Sequence, residues 1–301
     1  VEGFRPGVMD RLGIGPKVLA ERNPRLVYCA LTGYGQDGPY VNLVGHDVNY
    51  ISQAGALGLN GPADRPPAIP GFQFADFAGG ALMAAFGILL ALVARQGSGR
   101  GQMVDAALTE GVLGLIANQF SYLQVQGSVP PRGQSRLSGG EPYYNVYECA
   151  DGKHVSIGCN EPYFWANLCR IVGREDFIPD QDAEGARKDE IFAALREIFR
   201  TRPRDEWFEL LYDADVCVGR VLALDELPSD PQHQARGMFV SLPAPDGGTV
   251  TQVGVVPRLS DTPGQVRRVA PKPGEQTGAI LAELGYTPER VAALRVAGAV
   301  E

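Results

Sequence analysis

The sequence predicts an α/β fold whose first part carries a mainly parallel sheet. Three observations lead there: an unbroken apolar run at 26–31 between Pro24 and Gly33, a second strand-like run at 102–108, and a long apolar helix pattern between them at 77–94. An apolar run bounded by turn residues reads as a strand covered on both faces, and strand–helix–strand alternation implies parallel pairing. The 301 residues, 45% apolar and 21% charged, are those of a soluble globular chain of one large or two ordinary domains.

In chain order, residues 8–22 read as a short helix broken by Gly13, Gly15 and Pro16, followed by the strand at 26–31. The next stretch, Thr32-Gly33-Tyr34-Gly35-Gln36-Asp37-Gly38-Pro39, formally contains G-x-G-x-x-G. A dinucleotide fingerprint needs a helix to open at its glycines, and Pro39 stands in the way, so that reading is rejected. A helix is expected over about 46–57, closed by Gly58 and Asn60-Gly61-Pro62. Pro66, Pro67 and Pro70 then make an extended loop that delivers Asp76 to the long apolar helix. Its 18 uncharged residues, 77–94, sit at the lower edge of what spans a bilayer. Gly79, Gly80, Gly87 and many alanines favour a buried core helix, and no membrane role is expected.

After a turn at 97–101 come the strand at 102–108 and a helix near 111–126, then a Pro-, Gly-, Ser- and Arg-rich stretch at 127–140. A second unit follows, with strands at 143–149 and 154–158 and helices near 163–172, 188–199 and 204–211. Runs at 238–242 and 249–256, joined by Asp246-Gly247-Gly248, read as a hairpin; 263–273 is open loop, and 278–284 and 288–297 are helical. The expected organisation is a large domain over 1–112, a linker over 113–139, a small domain over 140–225, a return linker over 226–254, and a C-terminal part over 255–301 returning to the large domain.

A net charge of −8 argues against binding nucleic acid through a broad basic surface. The five cysteines contain no C-x-x-C pair, which speaks against a disulfide framework or zinc site and for a reducing, cytoplasmic compartment. Three histidines far apart in sequence do not suggest a metal cluster. The chain starts at Val1 with no signal-peptide pattern and reads as a fragment.

Two proton-transfer candidates bracket the stretch from Gly45 to Asp76. His46 and Asp76 each stand just before a helical segment, where unpaired N–H groups and the positive dipole end suit enolates and phosphates. Facing one cleft, a neutral imidazole and a carboxyl group could address one carbon from opposite sides. By pattern alone, His46 also reads as a helix-start residue beside a capping Asp47, Asp76 as an N-cap carboxylate, and Glu161, before Pro162, as a capping charge. Phe72 and Phe74 read either as cover for an apolar ligand or as a buried strand.

Gly3-Phe4-Arg5-Pro6-Gly7, Asn23-Pro24-Arg25-Leu26-Val27-Tyr28, the glycine-rich 32–39 stretch, Gly45-His46-Asp47-Val48-Asn49-Tyr50 and Gly99-Arg100-Gly101-Gln102 together resemble the class III CoA-transferase and α-methylacyl-CoA racemase superfamily. The resemblance spans nearly the whole chain. Gly45-His46-Asp47, Gly139-Gly140-Glu141-Pro142-Tyr143-Tyr144 and Glu161-Pro162 resemble its racemase branch, whereas a carboxylate at Asp76 is common to both branches.

The resemblance implies an acyl-CoA enzyme that inverts a 2-methyl centre by 1,1-proton transfer. His46 and Asp76 would be the acid/base pair, and Glu161 would hold and polarise His46. Gly3, Phe4, Arg5, Arg11 and the backbone of Gly45, His46, Asp47, Val48, Asn49 and Tyr50 would line the CoA site. Coenzyme A enters as part of the thioester substrate, so no permanently bound cofactor or metal is implied. The implied fold is a Rossmann-like large domain plus a smaller α/β domain, in interlocked homodimers, and relative to it this sequence lacks the leading part of the large domain. Two rivals remain: a CoA-transferase with Asp76 as nucleophile, and a non-catalytic CoA-binding subunit.

Overall fold

The computed structural model describes residues 1–245 and 247–301, which divide into two compact units, Val1–Val221 and Leu222–Glu301. The expected large domain at 1–112 and the expected small domain at 140–225, as far as Val221, therefore fall in one unit. In the first unit, α1 (Val8–Arg11) and α2 (Pro16–Arg22) lead into β1 (Tyr28–Thr32), and α3 (Asp47–Gln53) follows. A π-helix (Ala75–Leu82) runs on without a break as α4 (Met83–Ser98), and β2 (Met103–Ala107), α5 (Leu108–Leu115) and α6 (Ala117–Gln126) come next. Strands β1 and β2 pair in parallel, from Tyr28 opposite Met103 to Thr32 opposite Ala107, as the alternation predicts. Glu2 adds a parallel bridge at Ala30.

The π-helix owes its close seat to glycine. A Cβ on Gly111 of α5 would run into the Gly79 carbonyl, and a Cβ on Gly79 would press on Val112 and the Leu108 carbonyl. Backbone meets backbone there, around a small core of Ile51, Ala54, Ala75 and Val112. Gly111→Ala is therefore expected to cost about 3 kcal/mol, the upper end of overpacking penalties, because neither backbone can step aside. Urea unfolding would measure it.

The long helix corrects the expectation of a buried core element. Ala75, Gly79, Gly80, Ala84 and Ala91 are buried, but Phe77, Leu82, Phe86, Leu89, Leu90 and Val93 are exposed. Small residues pack inward where α5 and the strands approach, and the large apolar side chains are left on the outer face. By length and composition alone, the helix Ala75–Ser98 could cross a membrane.

The stretch at 127–140 is more than a tether, because it packs on the earlier loop. The Arg132 guanidinium donates to the Arg65 carbonyl, and Asn145 Nδ2 donates to the Gly139 carbonyl at 2.7 Å. Beyond it, β3 (Tyr144–Glu148), β4 (His154–Gly158), α7 (Pro162–Ile171), α8 (Gly185–Phe199), α9 (Arg204–Asp213) and β5 (Val218–Arg220) complete the unit. The three strands form an antiparallel sheet in the order β3-β4-β5. Trp165, Trp207, Tyr143, Tyr147, Phe177 and Phe199 belong to its core, and the two indole N–H groups donate to the Phe177 and Phe199 carbonyls at 3.0 and 2.7 Å. The short β5 carries too little pattern to be visible from sequence.

In the second unit, α10 (Pro231–Ala235) is capped by Asp230, whose carboxylate accepts from the Gln232 and His233 N–H groups. Strands β6 (Phe239–Pro243) and β7 (Thr249–Val253) form the predicted antiparallel hairpin, while Asp246 of its turn lies outside the described residues. Helices α11 (Thr277–Glu283) and α12 (Pro288–Val296) follow.

Candidate active site

The site grows from the C-terminal end of β1. The chain leaves Thr32 into the glycine-rich loop, and no helix opens before Asp47, which agrees with rejecting a dinucleotide fingerprint. Side chains from the neighbouring strand and helix pin the loop. Gln36 N–H donates to Asp105 Oδ2 at 3.1 Å, and Thr109 Oγ1 donates to the Gly33 carbonyl at 2.8 Å. The Tyr50 hydroxyl donates to the Gly45 carbonyl, its ring fills the space a Cβ on Gly33 would need, and Tyr34 packs edge-on against it at 5.3 Å. Glycines at 33 and 45 thus let Tyr50 draw the loop onto the start of α3.

On the opposite side, Glu2 shapes the first residues. Its carboxylate accepts from Phe4 N–H at 2.7 Å and from the Tyr28 hydroxyl at 3.1 Å, and burial together with that charge pushes the Tyr28 phenol up to about 12. Between the two sides lies a cleft of about 570 Å³. Of the residues expected to bind CoA, Gly3, Phe4, Arg5, Gly45, His46, Asn49 and Tyr50 line it. Arg11, Asp47 and Val48 do not: Arg11 ends α1 with its guanidinium over Gly7, Asp47 is buried, and Val48 is half-buried on α3. Tyr34, Leu43 and Val44 also line the cleft but were not among the expected site residues. The Gly33-Tyr34-Gly35 run held the one available signal, a pattern that lets backbone approach a ligand closely.

His46 is the N-cap of α3, its N–H bonded to Asn49 Oδ1 at 3.0 Å and its carbonyl to Asn49 N–H at 2.8 Å, with the imidazole exposed. Asp76 is not an N-cap as pattern suggested. Phe74 holds that position and Asp76 is the second residue of the π-helix. The two candidates are joined by their neighbours, since the Asp47 carboxylate accepts from the N–H groups of both Ala75 and Asp76, the latter at 3.0 Å. The Asp76 carboxyl is held above the ordinary carboxylate value, first by desolvation and then by the Asp47 negative charge, while His46 pulls the other way. The site therefore pairs an open imidazole with a carboxyl biased toward its neutral form.

Glu161 makes no hydrogen bond or ion pair with His46 among the described residues of the chain. It is the exposed N-cap of α7, its carbonyl accepting from Phe164 and Trp165 N–H groups, and its charge helps raise the thiol of Cys217. No hydrogen bond or ion pair among those residues joins it to Asp76 either. The Phe72 and Phe74 rings lie 6.0 Å apart and neither residue is in a strand: Phe72 is exposed in a bend and Phe74 caps the π-helix.

His46 lines the cleft and Asp76 does not; the carboxyl is tied to the histidine's neighbour through the Asp47 link. An α/β scaffold with a parallel strand pair and a glycine-rich loop thus holds an imidazole and a carboxyl, the groups that acid/base or carboxylate chemistry needs, on adjoining elements. Residues 1–277 match CoA-transferase family III, and the chain belongs to that family, whose enzymes act on CoA thioesters. It is 35% identical over 294 residues to human alpha-methylacyl-CoA racemase, covering 97% of this chain and 75% of that protein. It is 32% identical over 301 residues to succinyl-CoA–D-citramalate CoA-transferase of Chloroflexus aurantiacus, covering 98% of this chain and 74% of the relative. Among solved structures, a CAIB/BAIF family protein from Brucella suis superposes with a TM-score of 0.80 at 30% identity, covering 94% of this chain and 74% of that one.

Proposed function

We propose that the chain carries the site of an acyl-CoA epimerase that interconverts (2R)- and (2S)-2-methylacyl-CoA by 1,1-proton transfer. The observation that carries this reading is the Asp47 link, which sets the residue after His46 against the backbone of Asp76. Neutral His46 takes the α-hydrogen as a proton, leaving an enolate with its charge on the thioester oxygen; protonated Asp76 then returns a proton to the opposite face. The reverse reaction exchanges the roles. The raised proton affinity of Asp76 supports its part as donor, and the racemase named among the relatives supports the reaction class.

Cleft residues Gly3, Phe4, Arg5, Gly45, Asn49 and Tyr50 would hold CoA, with the Arg5 guanidinium on a phosphate. The exposed apolar face of α4 supports a homodimer that covers it, since contiguous apolar surface of this kind usually marks an interface. In that dimer the acyl group lies between this lobe and a partner's small domain, and Glu161 approaches His46 from a second copy. Five free cysteines, four of them buried, support a reducing, cytoplasmic setting.

The test follows a single epimer of a 2-methylacyl-CoA in deuterated water by NMR. Deuterium at the α-carbon together with appearance of the other epimer is the expected result, and no exchange by a folded, CoA-binding protein would sink the proposal. A second reading rests on the CoA-transferase among the relatives and on the exposure of Asp76. There the Asp76 carboxylate attacks the thioester carbon, a mixed anhydride forms and CoA leaves as the thiolate. Acyl transfer to an acceptor carboxylate without α-exchange would establish it.

A further inference from the structure

We propose that Asp47 is a positioning residue, a buried strut whose carboxylate locks the start of α3 to the first turn of the π-helix and so sets His46 and Asp76 as a working pair. The proposal rests on the acid/base reading above. Asp47 is 9% exposed, and among the described residues no lysine or arginine forms an ion pair with it. A buried carboxylate without a cation is costly unless N–H donors satisfy it. Here the donors are the N–H groups of Ala75 and Asp76, the first residues of the helix that carries the second acid/base group.

The strut acts on both partners at once. Asp47 directly follows His46 in the chain, so its anchor also fixes the backbone from which the imidazole projects. Ala75, the first donor, is fully buried, so the acceptor end of the strut stands on a part of the fold that cannot drift. Asn or Ser would cap those N–H groups without burying a charge. A charge earns its place only by acting on something else, and the group within its reach is Asp76.

The titratable groups acting on Asp76 are Asp47 and His46, with the Tyr50 phenol sensing it one turn further along α3. Helix α5, packed against the other side of the π-helix, meets it through Leu108, Gly111 and Val112, none of them charged. The negative charge of Asp47 is thus the local one that favours the protonated form of Asp76. That suits a proton donor, whereas a carboxylate nucleophile has no use for it.

Two substitutions separate the geometric part from the charge. Asp47→Ala removes the acceptor and is expected to lower kcat for α-hydrogen exchange by about 100-fold, the scale of a misplacement near 1 Å, with KM changed less than about 3-fold. Asp47→Asn keeps an acceptor oxygen but no charge, so kcat falls far less while the Asp76 titration, followed by carbon NMR of the carboxyl-labelled chain, moves to lower pH. Parental kcat in Asp47→Ala, or an unmoved Asp76 titration in Asp47→Asn, would overturn the proposal. Should Asp47→Ala not fold, the titration of Asp47→Asn still decides. If the unsubstituted chain shows no exchange, the epimerase reading fails, and the same titration decides the Asp47 coupling independently.

Discussion

His46→Ala is expected to reduce α-hydrogen exchange by about 1000-fold, within the range that a positioned general base contributes. Two features make the loss chemical rather than structural. The imidazole is exposed, and the N-cap bonds at this position, to Asn49 Oδ1 and from Asn49 N–H, are made by the backbone of residue 46, so an alanine keeps them. The thermal midpoint should therefore stay within a few degrees of the parent. KM should rise by less than about 10-fold, because the cleft keeps Phe4, Arg5 and Tyr50. The same variant divides the rival readings. Transfer through an Asp76 anhydride requires one carboxylate and no imidazole, so acyl transfer at the parental rate by His46→Ala, with exchange absent from the parent too, would install the transferase.

What could be read from the sequence followed the strength of the local pattern. The strand at 26–31, the strand at 102–108 and the helices of the second half all appear within a few residues of their expected places, because each has an apolar period bounded by glycine or proline. Residue 46 was readable as a helix start for the same reason. The π-helix was not readable, because it depends on Gly79 meeting Gly111 across more than thirty residues of chain, a contact no local window contains. The Asp47 link to Ala75 and Asp76 is equally long-range, so the residue that joins the two catalytic candidates looked like an ordinary cap. Burial of the 77–94 run was misjudged because composition tells how apolar a helix is but not whether one chain supplies enough partners to cover it. Glu161 shows the same limit from the other direction: its place before Pro162 correctly marked a helix start, while sequence carries no signal for which side chains it meets across the fold.

Asp76→Asn is expected to abolish epimerisation by about 1000-fold or more, and to abolish acyl transfer as well if any is present, since an amide neither returns the proton nor attacks the thioester. The substitution is nearly isosteric, and the N–H of residue 76 that Asp47 accepts belongs to the backbone, so the π-helix start survives it. Stability offers a second readout with a defined sign. Because the folded state holds the Asp76 proton more tightly than the unfolded chain does, the ionised carboxyl costs stability at neutral pH. The cost grows as pH rises from the ordinary carboxylate value near 3.8 through the higher folded value, and it is absent below 3.8, where both states are protonated. Asp76→Asn should therefore unfold at slightly higher urea than the parent at pH 7, by a few tenths of a kcal/mol given how exposed the side chain is, and the gain should vanish on acidification. A variant that is inactive yet no less stable at pH 7 would mark Asp76 as a group kept for its chemistry although it weakens the fold. A variant destabilised at every pH would instead mark it as a structural helix-start carboxylate, and the acid/base pair would lose one of its members.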